Sequence, residues 1–220
     1  MQPVTRQAAL TDHLYNVFMV FAIIVFVIVV GLIGWSLLRY RNRTDDLPKQ
    51  THGNKYLETT WTILPILLVI YLFVYTYRVE TVITKNPTPK VTIDVLAFQW
   101  GWRFTYQNTP VIIEGDTVHQ PHMEVPVGEA VRFVLNSPDV IHSFYVPPFL
   151  YKLQAIPGIT NTFTVTVNKT GKWDARCATF CGTEHANMGF TMRAVPPAQF
   201  AAWLKSHATA GTSTQAILPS

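Results

Sequence analysis

The chain of 220 residues combines a high apolar content with few charged side chains. Hydrophobic residues make up 49% of it, charged residues only 14%, and its mean hydropathy is +0.19. This composition argues against an ordinary soluble protein and predicts a membrane part. The net charge is +4, but residues 86–220 hold nine basic and eight acidic side chains, so the basic excess lies mostly in the N-terminal part. The charge distribution therefore argues against a nucleic-acid-binding face.

A long uncharged segment follows the short polar tail of residues 1–13. Residues 14–38 carry no charged side chain and exceed the roughly 20 residues that span a bilayer. The segment is also longer than the apolar region of a signal peptide (about 7–15 residues), and no basic segment precedes it. We therefore predict a retained transmembrane helix, with a removed signal anchor as the alternative. The basic cluster Arg39–Arg43 directly after it marks the cytoplasmic side.

A second apolar segment covers residues 59–79, with interfacial aromatic residues near both ends. Together the two segments predict a helical hairpin with a cytoplasmic loop over residues 39–58. The N-terminal part thus covers residues 1–84, and everything after it lies outside the cytoplasm. Residues 85–90 form a short linker stiffened by two prolines.

Beyond the linker, the apolar pattern changes to the alternation that is typical of β-strands. Turn residues separate these segments, which favours an all-β sandwich over residues 91–205. Residues 197–205 predict a closing amphipathic helix, and the tail of residues 206–220 is expected to be mobile. The predicted strands are Val91–Val95, Trp102–Tyr106, Val131–Leu135, Phe163–Val167 and Phe190–Val195.

Four metal-binding side chains lie close together near the end of this region. Cys177 and Cys181, the only cysteines, are followed by His185 and Met188. Thiolate, imidazole and thioether donors suit copper, whereas zinc sites rarely recruit methionine. The doubled cysteine suggests two thiolates shared between two metal ions, and His142 is the best candidate for a second imidazole.

Three other interpretations compete with copper for the cysteine pair. The cysteines could form a disulfide, as is common in exported domains, bind zinc together with two histidines, or act as a thiol-exchange pair. The nearby imidazole and thioether donors favour copper over all three. A second candidate metal pair, His119 and His122, is interpreted as surface histidines.

The order of these features resembles subunit II of the haem–copper cytochrome c oxidases over nearly all of residues 10–205. The motifs that carry the resemblance are Leu57–Pro65, Gln99–Trp102, Asp139–Pro147, Ala155–Gly158 and the loop Cys177–Met188. The resemblance implies a two-helix transmembrane hairpin followed by a cupredoxin-like Greek-key sandwich. The implied protein is the subunit of a bacterial inner-membrane oxidase that receives electrons from a cytochrome c and passes them to haem in subunit I. Oxygen is reduced to water in subunit I, coupled to proton movement.

The family implies a dinuclear copper centre, CuA, and a role for each matching residue. Cys177 and Cys181 would bridge two copper ions, which His142 and His185 would cap. Met188 would be a weak ligand of one copper, and the backbone carbonyl of Thr179 a ligand of the other.

Two further positions take on functions from the resemblance. Trp100 would accept electrons from the cytochrome, although a tryptophan is more commonly a core residue. Glu58 would begin a proton path into subunit I, although a glutamate at a helix N-terminus is also favoured by the helix dipole.

The chain also departs from the family at three positions. Thr179 stands where relatives carry a glutamate whose carboxylate binds magnesium, which predicts a weakened or absent magnesium site. Gln154 and Ile159 replace a frequent aspartate and a frequent arginine. Together with the near-neutral charge, they predict a donor that is not strongly basic or that docks through apolar contacts.

Three other functions are less consistent with the sequence. A thioredoxin-like copper-delivery protein would need a single anchor and βαβ periodicity. The metal-free subunit II of a quinol oxidase would not retain both cysteines, both histidines and the methionine. A nitrous oxide reductase would need a further domain for which this chain has no room.

Overall fold

The computed structural model describes residues 2–41, 52–85 and 87–209. Within it the chain forms two compact units. One is His13–Thr81, which contains most of two long helices. The other combines Met1–Asp12 with Val82–Ser220 and contains the β-structure. The short N-terminal segment thus belongs with the β-structure, whereas the sequence pattern groups it with the helices.

The two helices are α1, Arg6–Arg39, and α2, Lys55–Ile83. Both are long and apolar enough to cross a membrane, and their apolar side chains are mostly exposed, as a lipid environment requires. Each is longer than its predicted span, because the helical backbone continues into the polar flanks. Half of the predicted cytoplasmic loop, residues 42–51, and one residue of the predicted linker lie outside the described residues.

Ten strands and one further helix make up the rest of the described chain. The bounds of the elements are β1 Val91–Phe98, β2 Gly101–Tyr106, β3 Ile112–Asp116, β4 His122–Pro126, β5 Ala130–Asn136, β6 His142–Val146, β7 Tyr151–Ala155, β8 Asn161–Thr166, β9 Gly171–Cys177, β10 Gly189–Val195 and α3 Pro197–Thr209. Short 3₁₀ helices occupy Pro147–Phe149 and His185–Asn187.

The strands form two five-stranded sheets, which confirms the predicted β-sandwich. One sheet has the order β3-β2-β1-β5-β8, and the other has the order β4-β10-β9-β6-β7. In each sheet most neighbours are antiparallel, with one parallel pair each, β1–β5 and β10–β4. The non-sequential order means that neighbouring strands bring together residues distant in sequence.

The five predicted strands are all present, and each end lies within three residues of its predicted position. The other five strands were not predicted. Four of them are only five residues long, whereas residues 172–177 of β9 do alternate between polar and apolar side chains and could have been found from sequence. The two-residue spacing of Trp100 and Trp102 would place both side chains on one face if the two residues shared a strand. Trp100 and Trp102 do not lie on one face of a single strand, because β1 ends at Phe98 and Trp100 lies in the turn before β2.

An aromatic cluster fills the centre of the sandwich. Trp102, Phe104, Phe133, Phe144 and Phe190 are fully buried, and the ring of Phe144 lies 4.9 Å from that of Phe190. Each such side chain removes a large apolar area from water and packs edge-on or tilted against its neighbours. This rigid core lies directly beneath the loop that carries the candidate metal ligands.

The first residues of the chain are part of this unit. Val4 is only 5% exposed, Thr5 forms a β-bridge with Val167, and the N–H of Asn168 donates to the carbonyl of Val4 at 2.8 Å. The side chain of Thr5 also accepts the N–H of Ala8, as an N-cap of α1 does. Residues that sequence analysis treated as a polar tail therefore help to close the sandwich.

The closing helix is longer than predicted, since α3 continues to Thr209. Phe200 and Trp203 pack against Tyr106, whose hydroxyl donates to the carbonyl of Glu124. Residues 206–209 of the expected mobile tail are helical, and the rest of that tail lies outside the described residues.

Candidate metal centre

The loop Cys177–Met188 connects two paired strands, β9 and β10. Arg176 pairs with Gly189 in the antiparallel register, and the N–H of Cys177 donates to the carbonyl of Met188 at 3.0 Å. The strand pair therefore holds the two ends of the loop together. As a result, the loop's ligand candidates return to one place although they span twelve residues.

The distant histidine reaches the same place through strand pairing. β6 lies antiparallel to β9, with Phe144 opposite Cys177. His142 is two residues earlier on β6, so it lies beside the first residues of the loop. Ala178 also donates its N–H to the carbonyl of Ser143 at 3.1 Å, which ties the loop to β6.

The two cysteines are free thiols in close contact. Their Sγ atoms lie 3.8 Å apart, and both side chains are almost fully buried. One ring nitrogen of His142 and the two sulfur atoms all lie within 4.8 Å of one another. These three residues are the donor set that could hold a metal ion among the described residues.

The remaining predicted ligands surround the same sulfur atoms. The Sγ of Cys181 lies 3.5 Å from the Nδ1 of His185 and 3.7 Å from the Sδ of Met188. The carbonyl oxygen of Thr179 lies 3.1 Å from the Sγ of Cys177. The six predicted ligands thus lie together, as two sulfur atoms surrounded by nitrogen, thioether and carbonyl donors.

His142 is fully buried and held in place by Asp139. Its Nε2 lies 2.9 Å from the Oδ1 of Asp139, whereas its Nδ1 is buried without a hydrogen-bond partner. A buried nitrogen without a partner is costly unless something else satisfies it. A metal-binding histidine commonly has this arrangement, with a carboxylate on one nitrogen and the metal on the other.

The electrostatics of the thiols also favour a bound cation. Burial alone raises the pKa of the Cys177 thiol, but the nearby His142 ring and hydrogen bonds from the backbone of Thr179 and Ser143 lower it to about 6. Burial and the negative charge on Cys177 raise the pKa of Cys181 to about 12. One thiol of the pair therefore loses its proton more readily than an ordinary thiol and the other less readily, and a bound cation would stabilise both sulfurs as thiolates.

Trp100 and Gln99 both contact the backbone carbonyl of Cys181. The indole Nε1 of Trp100 donates to this carbonyl at 3.2 Å, and the amide Nε2 of Gln99 donates to it at 2.8 Å. Trp100 is half-buried and packs against the core. Sequence reasoning identified Trp100 but gave no role to Gln99 or Asp139, because their contacts are long-range.

Glu58 lies far along the chain from this centre, in the first turn of α2. Its Oε1 accepts the N–H of Asn54 at 3.3 Å, and the side chain of Asn54 accepts the N–H groups of Tyr56 and Leu57. This reciprocal pattern caps a helix N-terminus. His119 and His122 line one open depression with His207, without joining the donor set of the described residues.

Two family models match the chain. The cytochrome c oxidase subunit II transmembrane domain matches residues 3–79, and the cytochrome c oxidase subunit II periplasmic domain matches residues 116–195. A probable cytochrome c oxidase subunit 2 of Streptomyces avermitilis is 33% identical, over 95% of this chain and 78% of that protein. The cytochrome c oxidase subunit 2 of Alkalihalophilus pseudofirmus is 37% identical, over 83% of this chain and 54% of that protein.

Similarity to solved structures indicates the same family. The periplasmic domain of subunit II of the cytochrome oxidase of Bradyrhizobium japonicum covers 58% of this chain and 100% of its own, with 31% identity and a TM-score of 0.52. A second structure, with 29% identity and a TM-score of 0.50, holds such a domain in a mixed disulfide with a thioredoxin-like protein. Our chain thus belongs to the cytochrome c oxidase subunit II family, as a membrane subunit through which electrons enter a haem–copper oxidase.

Proposed function

We propose that this chain binds a dinuclear copper centre through Cys177, Cys181, His142, His185, Met188 and the carbonyl of Thr179. The observation that carries the proposal is the pair of buried free thiols 3.8 Å apart, surrounded by the other four donors. When bound, the copper pair supplies a carrier that takes up and releases one electron. Soft thiolate and thioether ligands suit copper better than zinc or a hard cation.

The protein residues would hold these ligands rigidly and keep water away from them. The cysteines and Met188 are buried at 1–4% exposure, and His142 is fully buried. Strand pairing fixes both ends of the loop. A closely packed ligand set that moves little between redox states lowers the reorganisation that electron transfer requires.

A direct test is the optical and electron paramagnetic resonance spectrum of the full chain in detergent, loaded with copper. A spectrum in which one unpaired electron is shared equally by two copper nuclei would support the proposal. A spectrum typical of a single copper ion would contradict the bridging role of the cysteines. A disulfide between Cys177 and Cys181 that excludes copper even after reduction would contradict the whole site.

Trp100 is the proposed surface residue through which a cytochrome c delivers electrons to subunit II. Its indole donates directly to the backbone of the ligand Cys181, which gives a short connection between a half-exposed ring and the ligand set. Trp100→Phe should slow reduction of the copper centre by cytochrome c by a large factor while the chain still binds two copper ions. An unchanged rate of reduction would exclude this role.

The partner that receives the electron is proposed to be haem in subunit I, within a bacterial inner-membrane complex. Glu58 is the proposed start of a proton path into that subunit. Glu58→Gln separates this role from capping, because the amide oxygen can still accept the N–H of Asn54. If the variant turns over more slowly while the stability of the helix is unchanged, Glu58 belongs to a proton path. If turnover is unchanged, Glu58 only caps the helix.

The second solved structure described above suggests one more partner. In that protein, subunit II is captured in a mixed disulfide with a thioredoxin-like protein. Cys177 and Cys181 lie in an oxidising compartment and close enough to be cross-linked after a small movement. We propose that this chain also needs a thiol reductant before copper can bind. Copper uptake by oxidised chain should then require prior reduction.

A further inference from the structure

We infer that Gln99 is a positioning residue of the metal centre, because it contacts both Asp139, which holds the ligand His142, and the backbone carbonyl of the ligand Cys181. The inference rests on the ligand set proposed above. Gln99 follows the last residue of β1 and lies in the turn before β2. Its backbone contacts Asp139, and its side chain contacts the backbone of Cys181.

The backbone of Gln99 supports the histidine ligand indirectly. Its N–H donates to the Oδ2 of Asp139 at 2.6 Å, while the Oδ1 of the same carboxylate bonds to the ring of His142. The N–H of Val140 and the hydroxyl of Ser137 donate to this carboxylate as well. Three donors other than the histidine thus fix the orientation of the carboxylate, and through it the orientation of the histidine ring.

The side chain of Gln99 supports the cysteine ligand. Its Nε2 donates to the carbonyl of Cys181 at 2.8 Å, and the indole of Trp100 donates to the same oxygen at 3.2 Å. Two donors on one carbonyl hold the backbone of the loop at the point where Cys181 projects inward. A single turn therefore positions a cysteine ligand, a histidine ligand and the surface tryptophan relative to one another.

The chain also keeps space for this arrangement. Gly182 has a φ of +126°, and a Cβ atom there would lie 2.8 Å from the Cζ2 of Trp100 and 3.1 Å from the Nε2 of Gln99. Only a residue without a side chain lets both groups approach the loop this closely. The close approach thus depends on Gly182 and on two adjacent residues, Gln99 and Trp100, that lie far from it in sequence.

The test replaces the amide while keeping the shape of the side chain. Gln99→Met, made in the full chain in detergent, removes the Nε2 donor. We expect copper affinity, measured by competition with a chelator, to fall about 10-fold, as is usual when a group supporting a metal ligand is removed. We also expect altered copper hyperfine splittings and a shifted reduction potential.

The matched control is Gln107→Met. Gln107 also donates through its Nε2, to the Oδ1 of Asp94 at 2.8 Å, but that contact is exposed and outside the ligand set. This variant should keep wild-type copper affinity, spectrum and potential. A second variant, Gln99→Glu, replaces the donor by a charged acceptor and should lose more affinity than Gln99→Met.

The outcomes separate this inference from the proposed function. If the wild-type chain binds no copper pair, the proposed ligand set is wrong. If it does, and both Gln99 variants keep wild-type affinity, spectrum and potential, only the inference fails. Loss of folding in both variants would also overturn the inference. So would a loss of stability that is as large in the metal-free chain as in the copper-loaded chain, because Gln99 would then be needed for the fold itself.

Discussion

The carboxylate of Asp139 and the ring of His142 form a hydrogen-bonded pair with an Nε2–Oδ1 distance of 2.9 Å. The histidine is fully buried, whereas 28% of the aspartate side chain remains exposed. Hydrogen bonds to Asp139 from His142, Val140, Gln99 and Ser137 outweigh its partial burial, which would raise its pKa, and hold that pKa below its usual value. The carboxylate is therefore charged at neutral pH and leaves Nδ1 as the free nitrogen.

The first prediction concerns this pair. Asp139→Asn keeps the shape of the side chain but removes the charge that orients the ring. We expect copper affinity to fall by about 10- to 100-fold, because removing the partner of a metal-binding histidine has this effect in other proteins. Competition with a chelator measures the change. Asp94→Asn, which alters an exposed carboxylate on β1, is the control and should bind copper as the wild type does.

The second prediction concerns Gly182. Gly182→Ala should destabilise the domain by about 1–3 kcal/mol through its positive φ, and should also displace Trp100 and Gln99. Gly128→Ala separates these two effects, because Gly128 has a φ of +78° but open space around its Cα. Thermal unfolding should show a lower stability than the wild type for both variants. A changed copper spectrum is expected only for Gly182→Ala, and an unchanged spectrum there would refute the steric part of the prediction.

The third prediction concerns the electron donor. Around the loop the chain exposes apolar side chains, with Phe180 79% exposed and Ile159 53% exposed, and Gln154 carries no charge. Salt screens contacts between charges but not apolar contacts. The rate of reduction by the donor should therefore fall only slightly between low and moderate ionic strength. Gln154→Asp should steepen this dependence for a basic donor. A steep loss of rate in the wild type would contradict apolar docking.

The fourth prediction concerns magnesium binding. Thr179 offers only a neutral hydroxyl where a carboxylate would be needed, so the intact oxidase should hold little magnesium through this loop. Thr179→Glu should increase the magnesium content of the complex, while the backbone carbonyl remains available to copper. Thr183→Glu places the same charge at an exposed position of the same loop and should have no effect. Metal analysis showing full magnesium bound through the wild-type loop would disprove the prediction.

The candidate ligands that could be found from sequence alone are those that lie close to one another along the chain. Cys177, Cys181, His185 and Met188 lie within one loop, so their residue types alone indicate a soft-metal site. His142 could be proposed because copper requires another imidazole, but only the β6–β9 pairing explains its location. The resemblance to a known family then assigned a role to each residue.

The supporting residues could not be found in this way. Gln99 is 82 positions away from Cys181 along the chain, and its type is common in exposed turns. Nothing in the local pattern distinguishes it from Gln107. Val4 and Thr5 were missed for the same reason, since their partners Asn168 and Val167 come much later in the chain. Sequence patterns report local periodicity, whereas these contacts depend on topology.

The burial of Val4 against the sandwich has a consequence for how the protein is made. Residues 2–5 leave the ribosome before either membrane helix, yet their partners near residue 167 are synthesised much later. Because both belong to one compact unit, the first residues must be exported and then remain unpaired until the domain emerges on the same side of the membrane. A bulky tag fused near Val4 should therefore impair maturation, whereas one placed after α3 should be tolerated.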